Sequence, residues 1–238
     1  MTKIQSMTLA AFLAFIATPA VYVQAEELPA EQASDYTAIA PENMTDTAAQ
    51  TAEMIVQRWP ERVQRLAKAM TEKYGVLSAF SDKELVWANH APWKRIILHR
   101  NGVTPSQIGK AVAAGDKDHL EQVISYRVPE DKIADLKKFD RRIKVNRAAG
   151  ELSSVADSES MNCLNLNLAD DIVKGQRRVQ DARSFALKTK MLEQTGKTSP
   201  YLEGIVFKLD EIDVDQDVSA DPRLQTIPEN VPVPNGGE

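Results

Sequence analysis

Hydrophobic positions along this chain change their spacing several times, and each change marks an expected element. From Met7 to Val23 they form one nearly continuous block with no period. Val63, Leu66, Ala67 and Met70 then recur at helical spacing between Pro60 and Gly75, residues suited to the start and end of a helix through Tyr74. An earlier helix is expected over Ala48–Arg58. Glu84–Asn89 and Trp93–Arg100 read as the two strands of a hairpin joined by His90-Ala91-Pro92. A short helix is expected over Ser106–Ala114. From Leu120 to Val128 the pattern alternates, with Leu120, Ile124, Tyr126 and Val128 on one side and Val123, Ser125 and Arg127 on the other.

The second half continues in pairs. Pro129 opens a helix through Phe139, with Glu130 and Asp131 favourably placed in its first turn. Arg141–Arg147 and Glu151–Ala156 form a second expected hairpin around Ala148-Ala149-Gly150. Ser158 suits the cap of a helix running to Lys174 and ended by Gly175, and a further helix spans Gln176–Gln194. Tyr201–Leu209 reads as a last strand. Helices and strands are paired, without strict βαβ alternation. That predicts an α+β fold whose antiparallel sheet is built from hairpins and packed with several helices.

The apolar block at the start has another meaning. Lys3 precedes it, Thr18-Pro19 interrupts it, and Val23 and Ala25 supply small side chains three and one residues before an expected cut after Ala25. This is the layout of a secretory signal peptide over residues 1–25. A membrane anchor fits less well, because Met7–Val23 is 17 residues broken by Thr8, Thr18 and Pro19, whereas a spanning helix takes about 20 apolar residues. No cysteine lies at the cut, which disfavours a lipoprotein, and no later stretch has spanning length. The expected mature protein is soluble, exported, and periplasmic or secreted.

At 43% hydrophobic and 26% charged, the chain is globular in composition. Its single cysteine, Cys163, excludes an intramolecular disulfide, so packing must hold the domain. Charge divides the chain into regions. Glu26–Asp46 carries six acids and no base, and Asp210–Glu238 carries eight acids and one base, Arg223. Between them, Thr47–Leu209 carries a net +7. We therefore expect an acidic flexible leader over 26–46, a single α+β domain over 47–209, and an acidic, proline-rich disordered tail over 210–238. The triplet Asn43-Met44-Thr45 matches a glycosylation sequon, of consequence only on a eukaryotic secretory route.

Sequence signatures of catalysis are missing. There is no phosphate-binding or dinucleotide-binding glycine loop, no Gly-x-Ser-x-Gly, and no His-Glu-x-x-His or Cys-x-x-Cys, so no cofactor or metal is expected. Cys163 falls early in an expected helix, where a thiol pKa can be lowered, yet it matches no cysteine-hydrolase pattern and needs His90, His99 or His119 nearby. Its plainer role is core packing. Asp213, Asp215 and Asp217 imitate half of a calcium loop, but Val218 replaces the required glycine and Leu224 the bidentate glutamate. Asn162, Asn165, Asn167, Asp170 and Asp171 on a leucine-rich helix either line a polar pocket or join helix to sheet.

Basic residues supply the positive candidates. Lys137, Lys138, Arg141, Arg142, Lys144 and Arg147 fall within 11 residues, and a second group comprises Lys174, Arg177, Arg178, Arg183, Lys188 and Lys190. Alternation sets Arg142 and Lys144 opposite Ile143 and Val145, and with Arg127 they form the candidate anion-binding set, against the plain alternative of a solvated face. A candidate contact patch is Trp93, Arg95 and His99, which alternate onto one side of a strand together with Ile97. The alternative for these three is the edge of the core. The expected partner is an anionic envelope component or an acidic protein. Nucleic acid is disfavoured by export and by the lack of a reading motif.

Lys73-Tyr74-Gly75, Trp87, Pro92-Trp93-Lys94-Arg95, Tyr126-Arg127-Val128-Pro129, Gly150-Glu151-Leu152 and Leu166-Asn167-Leu168-Ala169-Asp170 together resemble a group of uncharacterised exported bacterial proteins. The resemblance covers most of the body. It implies a periplasmic or envelope setting and carries no activity, so no functional residue follows from it. The helix-then-hairpin start is also similar to small envelope-assembly modules of the outer-membrane lipoprotein type, though the lipoprotein cysteine is missing and the body is longer. The expected function is non-catalytic binding in the bacterial envelope. The alternatives are a periplasmic enzyme of hydrolase type and an effector secreted from the cell.

Overall fold

A computed structural model describes residues 37–38, 46–103 and 117–209. The signal segment, the expected helix Ser106–Ala114, the sequon and the calcium-loop imitation lie outside the described residues. Within the leader, Thr37–Ala38 forms a two-residue strand, β1.

Two helices come next, α1 (Asp46–Val56) and α2 (Glu61–Tyr74). Strands β2 (Ala79–Phe80), β3 (Glu84–His90), β4 (Trp93–Val103) and β5 (Asp118–Ser125) follow. Helix α3 (Glu130–Phe139) leads to the hairpin β6 (Ile143–Asn146) and β7 (Glu151–Ala156). The described part closes with α4 (Glu159–Val173), α5 (Val179–Glu193) and α6 (Pro200–Glu203). All pairings are antiparallel, in the order β1-β2-β3-β4-β5-β7-β6. The expected α+β fold is therefore present, with β6 as an edge strand among the described residues.

Alternation decides which side of each strand meets the helices. Leu85, Trp87, Ile96, Leu98, Leu120, Ile124 and Leu152 share one cluster with residues of all six helices, such as Val63, Leu136, Leu164 and Ala182. Ala79, Val86, Ile97 and Val123 form a separate small cluster on the opposite face. Twelve consecutive residues of α4, Met161–Ile172, are buried, so this helix is enclosed on all sides and its polar residues need partners. Ser158 caps it by accepting from the Met161 N–H.

The chain after Pro200 differs from expectation. Ser199 accepts from the Tyr201 N–H and Pro200 stands in the first turn, so Pro200–Glu203 is a short helix. Residues 204–209 then form no strand. Ile205, Phe207 and Leu209 pack on the core, and the Val206 N–H donates to Asn167 Oδ1 of α4 at 2.9 Å. The segment's partner is a helix and not a sheet.

Gly102 has φ +59° beside the irregularity in β4 between Leu98 and Val103. A Cβ there would stand 2.8 Å from the Asp118 carbonyl and from the His119 ring. Only glycine fits so close an approach with that backbone. The β3–β4 turn holds a cis Ala91–Pro92 bond.

Candidate functional site

Two arrays of charge stand out, and they differ in whether acids answer the bases. The first is an open groove enclosing about 730 Å³ along the β6 edge. Its walls are Ile133, Lys137, Lys138 and Arg141 from α3 and its exit, and Ile143, Lys144, Val145 and Arg147 from β6 and its turn. Side chains from both faces of β6 take part, so the groove follows the strand edge. Its floor is aliphatic and its rim carries five cations.

Rim pairing is slight. Lys138 reaches Asp135 at 3.2 Å and Arg147 reaches Glu130 at 3.3 Å, both exposed pairs of little energetic weight. Lys144 binds Glu121 at 2.7 Å while remaining 50% exposed. Lys137 and Arg141 are exposed and make no ion pair with a described residue. Lys137 and Lys138 stand in the last turn of α3, where cations also favour the helix.

Of the three residues predicted to bind anions, only Lys144 lines this groove. Arg142 is turned inward, bonded to Asp118 and, at 3.0 Å, to Asp140. Arg127 is exposed beside Gly150 and does not line it. The density of the cluster was legible in sequence, but the choice among its members depended on where the acids fold. Half of the second basic group is answered locally. Lys174 pairs with Asp170, Arg177 with Asp171, and Arg178 with Asp181.

The second array lies on the sheet face away from the helices. His99 is held between Glu84 at 2.7 Å and Glu121 at 2.8 Å. Burial alone would lower its pKa, but bonds to Glu121 and Glu84 outweigh burial and raise it to about 9. Both ring nitrogens therefore donate at neutral pH. Burial would raise the Glu121 pKa, yet His99 and Lys144 hold it far below the usual carboxylate range. Ser153 Oγ donates to its second oxygen at 2.7 Å. Nearby, Arg95 and Lys94 both reach Glu151 at 2.7 Å.

The predicted contact patch is thereby divided. Arg95 and His99 sit with the Ile97 face, engaged by Glu151 and by Glu84 and Glu121. Trp93 belongs to the helix-covered core at 1% exposure. Its indole N–H donates to Tyr74 Oη at 3.1 Å and Glu159 Oε1 at 3.0 Å. Successive Lys94 and Arg95 reach the same carboxylate, so strict alternation fails at the start of β4, and that breaks the expected grouping. Tyr74 and Lys73 complete this junction, each 2.6 Å from Glu159.

Cys163 is buried beside that junction. Burial and the Glu159 charge push its thiol up to about 12, the reverse of an activated nucleophile. None of the histidines bonds to it: His90 meets the Tyr74 ring at a tilt, His99 is clamped, and His119 donates to the His99 carbonyl at 2.8 Å. The polar residues of α4 join helix to sheet and loop. Asn162 donates to the Leu120 carbonyl and Gln122, Asn165 to Ser154, and Asn167 to the Tyr201 and Gly204 carbonyls. Tyr126 donates to Asp170 at 2.7 Å.

Among the described residues, no group of three or more His, Cys, Asp or Glu side chains is placed to hold a metal ion, and no helix is long and apolar enough to cross a membrane. Comparison with protein families, with curated proteins and with solved structures finds no match to this chain.

Proposed function

We propose that this chain is an exported, non-catalytic binding protein of the bacterial envelope whose groove between α3 and β6 takes an anion with an apolar part. The observation that carries the reading is the pairing of an aliphatic floor, Ile133, Ile143 and Val145, with a rim that includes Lys137 and Arg141, which make no ion pair with a described residue. A purely solvated basic face has no apolar floor; a core pocket has no cationic rim. Such a combination suits an anionic lipid or an acidic segment of a protein, in which charge and hydrocarbon are adjacent. Against the hydrolase alternative stand the raised thiol pKa of Cys163 and its lack of a histidine partner. The apolar leader with a cut after Ala25 supports export.

Sedimentation of the mature protein with phosphatidylglycerol vesicles, against phosphatidylcholine vesicles, tests the reading. Binding only to the anionic vesicles, weakened by salt and lost in Lys137→Glu with Arg141→Glu, is expected. Equal binding to both vesicle types, or an unaffected double variant, would sink it.

A further inference from the structure

Lys144 belongs to both charged arrays, and its two ends answer to different neighbours. Its stem lines the groove with Ile143 and Val145, whereas its ammonium is turned to the opposite face of β6 and bonds Glu121 Oε2 at 2.7 Å. That oxygen is shared. His99 Nε2 donates to it at 2.8 Å, while Ser153 Oγ donates to Glu121 Oε1 at 2.7 Å. Glu121 is buried, but Lys144 is half exposed, on an edge strand with only β7 beside it among the described residues.

His99 decides how firmly Glu121 keeps its lysine. If Lys144 departs, Glu121 retains His99 and Ser153, so no buried carboxylate is orphaned. With His99 protonated, Glu84, His99, Glu121 and Lys144 carry two negative and two positive charges. Departure of Lys144 then leaves one cation held between two acids. Without the His99 charge it leaves two largely buried acids with neither cation between them, a far costlier state. The two cations on Oε2 also repel each other, which loosens Lys144, the more exposed of the pair. Its flexible four-carbon stem permits the move.

We infer that His99 is a positioning residue for the groove: by holding Glu121 together with Ser153, it lets the Lys144 ammonium leave that acid and turn round the β6 edge onto an anion seated beside Lys137 and Arg141. The inference rests on reading the groove as the binding site, and it adds a control on that site. A residue on the far sheet face sets whether one rim cation serves the ligand or the fold.

The mature full-length chain is labelled at neutral pH with limiting acetic anhydride, and the yield at Lys144 is read by mass spectrometry against that at Lys137. His99→Gln is expected to lower the Lys144 yield about threefold or more, because a lysine held by an acid gives up its proton less readily. Glu121→Gln, which removes the acid, should raise it by about the same factor. Unfolding would expose every lysine and raise all yields together, so a selective fall at Lys144 cannot come from a damaged fold. Affinity for phosphatidylglycerol vesicles is measured in parallel. His99→Gln should weaken it about threefold in the parent and leave it unchanged in a Lys144→Ala background, whereas a merely structural histidine would weaken both.

An unchanged Lys144 yield in either variant overturns the inference, and so does an equal loss of affinity with and without Lys144. If the yields shift as expected but no form binds vesicles, the ligand class under Proposed function falls, while the link from His99 to Lys144 stands.

Discussion

The groove beside β6 and the sheet face around His99 hold similar side chains and differ in what surrounds them. On the sheet face, one histidine, one lysine and a serine converge on Glu121, which is 6% exposed. In the groove, Lys137 and Arg141 face open space over aliphatic residues. Counting charges along the chain treats the two alike. What separates them is whether the acid that answers each base is buried within reach, and this decides whether a charge holds the fold together or remains available to a ligand.

Removing the shared acid should have the largest effect. Glu121→Ala leaves a protonated His99 without one of its acceptors on a largely buried face, and about 3–5 kcal/mol of stability should be lost in urea unfolding. An effect below about 1 kcal/mol would place Glu121 among the weak surface pairs. Next comes pH. His99 is raised from 6.5 to about 9, so its contribution is fully present below pH 6.5 and is lost as pH rises through about 9. The expected loss is on the order of 2–3 kcal/mol, and His99→Gln should flatten the curve over that window. Glu121 has the opposite sign: its contribution is present above pH 4.5 and is lost as pH falls below it.

A smaller loss tests the junction on α4. Tyr126→Phe leaves the buried Asp170 with one bond fewer and should cost roughly 1–2 kcal/mol in the same unfolding measurement. The smallest effect on stability belongs to the groove. Lys137→Ala and Arg141→Ala should each stay within about 0.5 kcal/mol of the parent, since neither has an ion-pair partner among the described residues. If either destabilises the fold by more than that, the contrast between the two regions fails.

Much of the architecture was legible because local rules agreed with the tertiary outcome. Pro60, Gly75, Pro129, Ser158 and Gly175 mark helix ends through backbone geometry and capping, which are local. Alternation in Leu120–Val128 separated the two sheet faces correctly, since Leu120 and Ile124 lie in the main core and Val123 in the small opposite cluster. Ala79–Phe80 was missed because two residues are too short to show a period. Trp93 was placed on the wrong side because its hydrogen-bond acceptors, Tyr74 and Glu159, lie 19 and 66 residues away in sequence.

The chain by itself determined which segments are helical or extended, which strand faces are apolar, and that a basic body lies between acidic ends. Those properties follow from side-chain period, capping and charge count, which depend on neighbours in sequence. Tertiary structure alone decided that Arg142 is bound by Asp118 and Asp140, that Lys144 leans on Glu121, and that Lys137 and Arg141 line the groove with no acid among the described residues to answer them. The strength of an ion pair is set by distance and burial, and both arise only when remote segments are brought together.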